Sequence, residues 1–322
     1  MAEIDILSFG ETMAMFVAEQ PGDLAGVSHF EKRIAGADSN VAIGLARLGF
    51  KVAWLSRVGD DSLGRFVVDT LEREGVSCAH VKTDAHLPTG FQLKSRELGG
   101  ADPVVEYFRK GSAASRLAPK DIDPRLFQAR HLHATGIPAA LSDSCRELSH
   151  VLMQGMRDAG RSVSFDPNLR PSLWPDKACM VREINALAGL ADWVLPGLAE
   201  GKVLTGHDDP RDIAAFYLER GVKAVVIKLG AEGAYYRTPT DEGRVAGVPV
   251  SQVVDTVGAG DGFAVGVISA LLEHQDLTQA VARGNWIGSL AVQSRGDMEG
   301  LPGRAALDAA WPPVSHPLKQ PA

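Results

Sequence analysis

The chain has 322 residues, 45% of them hydrophobic and 23% charged, the composition of a globular protein with ample material for a core. A net charge of −7 argues against nucleic acid or an anionic membrane as partner, and no apolar run is long enough to span a bilayer. Three scattered cysteines (Cys78, Cys145, Cys179) without a CxxC read as reduced thiols rather than disulfides or a zinc site, and the acidic start "MAEIDILSFGETM" is unlike an export signal, so a cytoplasmic protein is expected.

In chain order, "IDILSFGE" (4–11) reads as a strand. "SNVAIGLARLG" (39–49) carries apolar residues at helical spacing and stops on Gly49. "KVAWLSRVG" (51–59) is strand-like and "SLGRFVVDTLEREG" (62–75) helical. The alternation resumes with "ARHLHATG" as strand, "SCRELSHVLMQGMRDAG" as helix, and "SVSFDPN", "ADWVLPG" and "KAVVIKLG" as strands. Such a rhythm predicts an α/β fold, with a mostly parallel central sheet between helices. Ligands then bind at the carboxyl ends of strands, where "GE", "DPN", "LPG" and "KLG" stand. Residues 13–36 and 88–111 break the rhythm with short strands and Pro/Gly turns, and are read as a small β lid. The Pro-rich end, 312–322, is expected to fray.

The stretch "VVDTVGAGDGFAVGVISALLEH" (253–274) poses the chemical question. Gly258, Gly260 and Gly262 strip the turn of side chains, so that backbone N–H groups can approach a ligand at a helix start that favours anions. Asp261 adds a carboxylate to that same place. No Walker P-loop is present, and a pyrophosphate-binding GxGxxG does not tolerate the aspartate. Phosphoryl transfer uses both parts: the amides stabilise the phosphoryl oxygens and the carboxylate takes the proton of an attacking alcohol. A simple helix cap is the plainer account of Asp261, but it needs no such set of glycines.

"DTVGAGDGFAVG" resembles the C-terminal signature of the ribokinase-like (PfkB) carbohydrate kinases, and "AGADSNVAIGLARLGFKVAWLSRVGDDSLGRFV" is similar to their N-terminal one. The order of motifs matches over nearly the whole chain. "GADSN" (36–40), "YFRKGSAAS" (107–115), "FDPNLRPSLW" (165–174) and "RGDMEGLP" (295–302) resemble the 2-keto-3-deoxygluconate kinases within that family. The resemblance implies a single ribokinase-like domain over 1–322, a three-layer α/β/α sandwich with a β lid. It makes Asp261 the base and Gly258, Ala259 and Gly260 the anion hole. It assigns Gly36, Ala37, Asp38, Asn40, Gln92, Tyr107, Arg109, Arg170 and Asp255 to the sugar. Asn168, Arg170, Lys228, Gly230, Gly233 and Asn285, with Gly258 and Gly260, fall to ATP. Asp255 also stands near a monovalent-cation (K+) loop. Where the family has Asn-x-x-Glu, this chain has Gly197-Leu-Ala-Glu200, which leaves Glu200 as the candidate toward Mg2+.

The implied reaction is ATP-dependent phosphorylation of the 6-hydroxyl of 2-dehydro-3-deoxy-D-gluconate. Arg109 and Arg170 are the candidates to meet its carboxylate, since a guanidinium fork matches one. The implied partners are the sugar acid and ATP, with no nucleic acid and no membrane, in a homo-oligomer of two or more copies. The alternatives are a neutral-sugar or nucleoside kinase, or a non-catalytic sensor on the same scaffold. Plainer readings stand beside the others: Asp38 and Asn40 as helix caps, His131 and His133 as core histidines rather than metal ligands, and Tyr107 and Phe108 as lid packing. As neighbours on a strand, Tyr107 and Phe108 point opposite ways.

Overall fold

A computed structural model describes residues 3–97 and 103–311; the expected fraying tail and the tip of the second lid segment lie outside the described residues. The strands are β1 (Ile6–Phe9), β2 (Met13–Pro21), β3 (Phe30–Ala35), β4 (Val52–Gly59), β5 (Val76–Asp84), β6 (Phe91–Arg96), β7 (Val105–Phe108), β8 (His131–Thr135), β9 (Ser162–Asp166), β10 (Trp193–Val194), β11 (Ala224–Lys228), β12 (Ala234–Arg237) and β13 (Glu242–Val245). The helices are α1 (Ala37–Arg47), α2 (Ser62–Arg73), α3 (Gly136–Leu141), α4 (Asp143–Asp158), α5 (Lys177–Ala188), α6 (Leu198–Thr205), α7 (Pro210–Leu218), α8 (Ala259–Leu272), α9 (Leu277–Ala291) and α10 (Arg304–Ala310).

The large sheet runs β13-β12-β11-β10-β9-β8-β1-β4-β5. It is parallel from β11 to β5, and β12 and β13 add an antiparallel edge. β1 and β8 are buried along their whole length, as strands covered on both faces must be. Alternation along β1 sorts its side chains into two cores. Ile6 packs with Trp54 and residues of α1, α2, α8 and α9. Leu7 and Phe9 pack with residues of α4, α5 and α7. Helices therefore cover both faces, and the three-layer sandwich expected from the sequence is present.

The two irregular segments form a second sheet, β3-β2-β6-β7. This is the small lid, with β2 and β6 parallel. Two elements are less evident in the sequence. β5 alternates buried and exposed residues at the sheet edge, and the β12–β13 hairpin interrupts the βα rhythm. His131 and His133 are core residues, as the plainer reading holds. Ser164 Oγ lies 2.8 Å from His131 Nε2 and 2.9 Å from His133 Nδ1. Burial keeps both rings neutral, lowering His133 to about 3.

Candidate active site

The carboxyl ends of the central strands, the lid and the start of α8 enclose a cavity of about 430 Å3. Gly258 caps α8 in the left-handed region, with φ 83°. Its conformation and its surroundings both demand glycine, because a Cβ there would lie 2.3 Å from the Asp297 carbonyl oxygen. Gly260 is different: a Cβ on it meets only Lys228 Nζ, at 3.5 Å. Gly258 is thus required by packing, whereas Gly260 keeps a path to the lysine open. The first intrahelical bond of α8 runs from Gly262 N–H to Gly258 O. The amides of residues 259–261, Ala259 among them, precede it and suit an anion.

Asp261 sits in that first turn, nearly buried. Burial pushes its carboxyl up to about 7. Asn40 opposes the rise, Asp166 and Asp297 add to it, and Lys228 lowers it. Asn40 Nδ2 donates to Asp261 Oδ2 at 2.8 Å. That bond fixes the amide orientation and leaves Asn40 Oδ1 buried without a partner among the described residues. Such an acceptor beside the carboxylate suits a substrate hydroxyl. Asp38 accepts from Thr135 N–H and Thr135 Oγ1, both at 3.0 Å, and burial pushes it up to about 8. A base must be unprotonated to accept a proton. Turnover of the free enzyme per unit substrate, kcat/KM, is therefore expected to rise with pH to a midpoint near 7 and then level off. Removing a neighbouring negative charge by Asp166→Asn should move the midpoint down. A pH profile of both proteins checks this; a midpoint near 4 in the parent would contradict it.

Lys228 ends β11, and its Nζ lies 2.6 Å from Asp166 Oδ2. Burial opposes its charge, but Asp166 and Glu200 outweigh burial and keep it protonated. Two residues beyond Asp166, Asn168 takes φ 39°, a conformation asparagine tolerates better than most side chains. Glu200 accepts from Leu169 N–H and Gly197 N–H, each at 2.8 Å. It ties the strand-end loop to α6, and Gly197 contributes its backbone where the family has an asparagine amide. Arg170 lines the cavity, and its Nη1 donates to Leu169 O at 2.9 Å. Among the described residues no carboxylate pairs with it.

From the lid come Gln92, Tyr107 and Arg109, and from the α1 start Gly36 and Ala37. Tyr107 faces the cavity, while Phe108 turns away and stacks on Phe91. Arg109 lines the cavity while paired with Glu11: Nη2 lies 2.6 Å from Glu11 Oε2 and Nε donates to the same oxygen, both residues being buried. Asp255 stands outside the lining of this cavity, paired at 2.7 Å with lid residue Lys94, which does line it. Gly230, Gly233 and Asn285 also lie outside the lining. A Cβ on Gly233 would strike the Val245 carbonyl, and Asn285 Nδ2 donates to the carbonyls of Val245 and Ala246. They gather at the β13 end, beyond Lys228. Glu11, Lys94, Asp166 and Asp297 also line the cavity, none of them expected from the sequence. Glu11 and Asp166 had a signal, standing in "GE" and "DPN" at strand ends.

The pattern of the pfkB family carbohydrate kinases matches residues 3–304. The chain belongs to this family. The match covers both signatures and every side chain of the cavity. This carbohydrate kinase is 54% identical over 95% of its length to the 2-dehydro-3-deoxygluconokinase of Bacillus subtilis (strain 168), 94% of which is covered. The PfkB protein from Polaromonas sp. JS666 superposes with a TM-score of 0.89 at 53% identity, over 95% of this chain and 99% of that one. A fructokinase double mutant from Vibrio cholerae O395, in its fructose, ADP and potassium ion bound form, gives 0.83 at 30% identity, over 96% and 99%. The chain is a phosphotransferase on the ribokinase-like fold. No helix among the described residues is long and apolar enough to cross a membrane.

Proposed function

We propose that this kinase transfers the γ-phosphoryl group of ATP to the 6-hydroxyl of 2-dehydro-3-deoxy-D-gluconate. The observation that carries the reading is the buried Asp261 carboxylate at an amide-lined helix start, with Lys228 Nζ beside Gly260 and Arg170 at the same cavity. The substrate follows the Bacillus subtilis relative. Asn40 Oδ1 and Gln92 orient the sugar, and Asp261 accepts the hydroxyl proton late in the transfer, since a carboxylate cannot ionise an alcohol beforehand. Lys228 and the amides of 259–261 stabilise the charge on the phosphoryl oxygens. ATP extends from there toward the Gly230–Gly233 turn and Asn285.

Among the described residues no three His, Cys, Asp or Glu side chains gather to hold a metal alone. Glu200 and Asp166 line the same cavity and would be the residues nearest to magnesium arriving with the nucleotide, which would neutralise phosphate charge. A neutral-sugar kinase is the second reading, favoured by the likeness to the Vibrio cholerae fructokinase. A sensor has no need of Asp261.

Arg170 separates the sugar-acid and neutral-sugar readings. Arg170→Ala should raise KM for the sugar acid by about tenfold to a hundredfold, the loss of a charge-assisted hydrogen bond. Lysine should restore only part. Arg109→Ala should act on stability, costing about 3–5 kcal/mol by leaving Glu11 buried and unpaired. Steady-state kinetics and melting of the variants distinguish these effects; an unchanged KM in Arg170→Ala removes it from the carboxylate. The position of transfer is read by phosphorus NMR. A phosphate on the primary carbon couples to two protons and splits into a triplet, whereas a doublet would place it on a secondary hydroxyl and overturn the assignment.

A further inference from the structure

Lys94 lies on β6 of the lid and is only 3% exposed. Its ammonium stands 2.7 Å from Asp255 Oδ2 and 3.3 Å from Asp297 Oδ1. Asp255 belongs to the loop entering α8, and its other oxygen accepts from Val257 N–H at 3.0 Å. Asp297 belongs to the loop after α9, and its carbonyl packs against Gly258. One cation thus joins three segments distant in sequence: the lid, the approach to the anion-hole turn, and the loop that supports that turn.

Two carboxylates meeting at low exposure need a positive charge between them. The family likeness places Asp255 near a monovalent-cation loop, and the Vibrio cholerae relative was solved with potassium. Here the residues do not fit that ion. The best electrostatic position is filled by a tethered ammonium, which carries the same charge and has nearly the radius of potassium. We propose that Lys94 is the resident monovalent cation of these loops, and that the kinase therefore works without potassium. The proposal rests on the kinase reading for its catalytic consequence alone, since the ion pairing itself is independent of substrate.

Melting and turnover should be compared in potassium chloride and in tetramethylammonium chloride at equal ionic strength. The wild type is expected to show the same midpoint and the same rate, within about twofold, in both salts, because only ligands that bind the folded state shift its stability. Lys94→Met should melt lower and turn over at least about tenfold more slowly in tetramethylammonium, on the scale of a lost charge-assisted bond. Potassium or ammonium, small enough to enter the vacated place, should restore both. Lys94→Arg keeps the charge and should not respond to potassium. A wild type raised several-fold in rate, or clearly in midpoint, by potassium overturns the proposal. So does a folded Lys94→Met protein that neither potassium nor ammonium improves. If Lys94→Met does not fold, the wild type and Lys94→Arg decide. Absence of turnover on every sugar, with a wild-type midpoint indifferent to potassium, would remove the functional reading and leave the cation assignment standing.

Discussion

Asp261→Asn is expected to lower turnover by about two to four orders of magnitude, the span of a lost general base, with ATP and sugar binding nearly retained. The amide keeps the shape of the side chain and the mouth of the cavity, but it cannot take a proton. The same substitution should raise the melting temperature of the free protein at pH 8. The sign follows from burial. The folded carboxyl titrates at about 7, above the unfolded value of about 3.9. Between those values the folded state holds a proton that the unfolded state has released, so stability is lost as pH rises through the window. Above it the full penalty applies, and a neutral amide removes it. Kinetics and melting together thus separate a catalytic carboxylate, destabilising and necessary, from a structural cap, whose removal would lower both. Turnover within threefold of the parent removes Asp261 from the base role.

Gly260→Val carries the second large effect, a fall in turnover of about 10²–10³-fold with the fold retained, the scale of a lost oxyanion-type donor. A side chain there projects toward Lys228 Nζ, across the path between ammonium and phosphoryl group. Gly258→Ala is the contrast. Its left-handed backbone and the nearby Asp297 carbonyl oppose any Cβ, so it should lose stability first. Circular-dichroism melts and single-turnover rates on the two variants give the check. Equal collapse of stability in both would make the whole turn structural.

The sequence made the chemistry of this turn legible because all its parts are local. Helix start, stripped backbone and carboxylate lie within five residues. The sheet was legible for a similar reason, since apolar runs ending in "GE", "DPN" and "KLG" mark strand ends whichever strands pair. Electrostatic partnership was not. Arg109 reads as a free guanidinium on a lid until folding brings Glu11, 98 residues earlier, against it. Lys94 is claimed by Asp255, 161 residues on, a pairing that nothing local to either residue marks. Nor does Glu200 show in the sequence that its two oxygens already hold the amides of Leu169 and Gly197. Charge type and strand position can be read along the chain, whereas pairing depends on which strand ends meet.

The central claim is a sugar-acid kinase with Asp261 as base, and coupled ADP release measures it most directly. Wild type and Asp261→Asn are each given ATP, magnesium and either 2-dehydro-3-deoxy-D-gluconate, its neutral analogue with the same hydroxyls, or fructose. The predicted result is highest kcat/KM for the acid in the wild type, with release almost abolished in Asp261→Asn at unchanged binding. Equal or better use of fructose and the neutral analogue would contradict the sugar-acid assignment, and undiminished release in Asp261→Asn would contradict the mechanism.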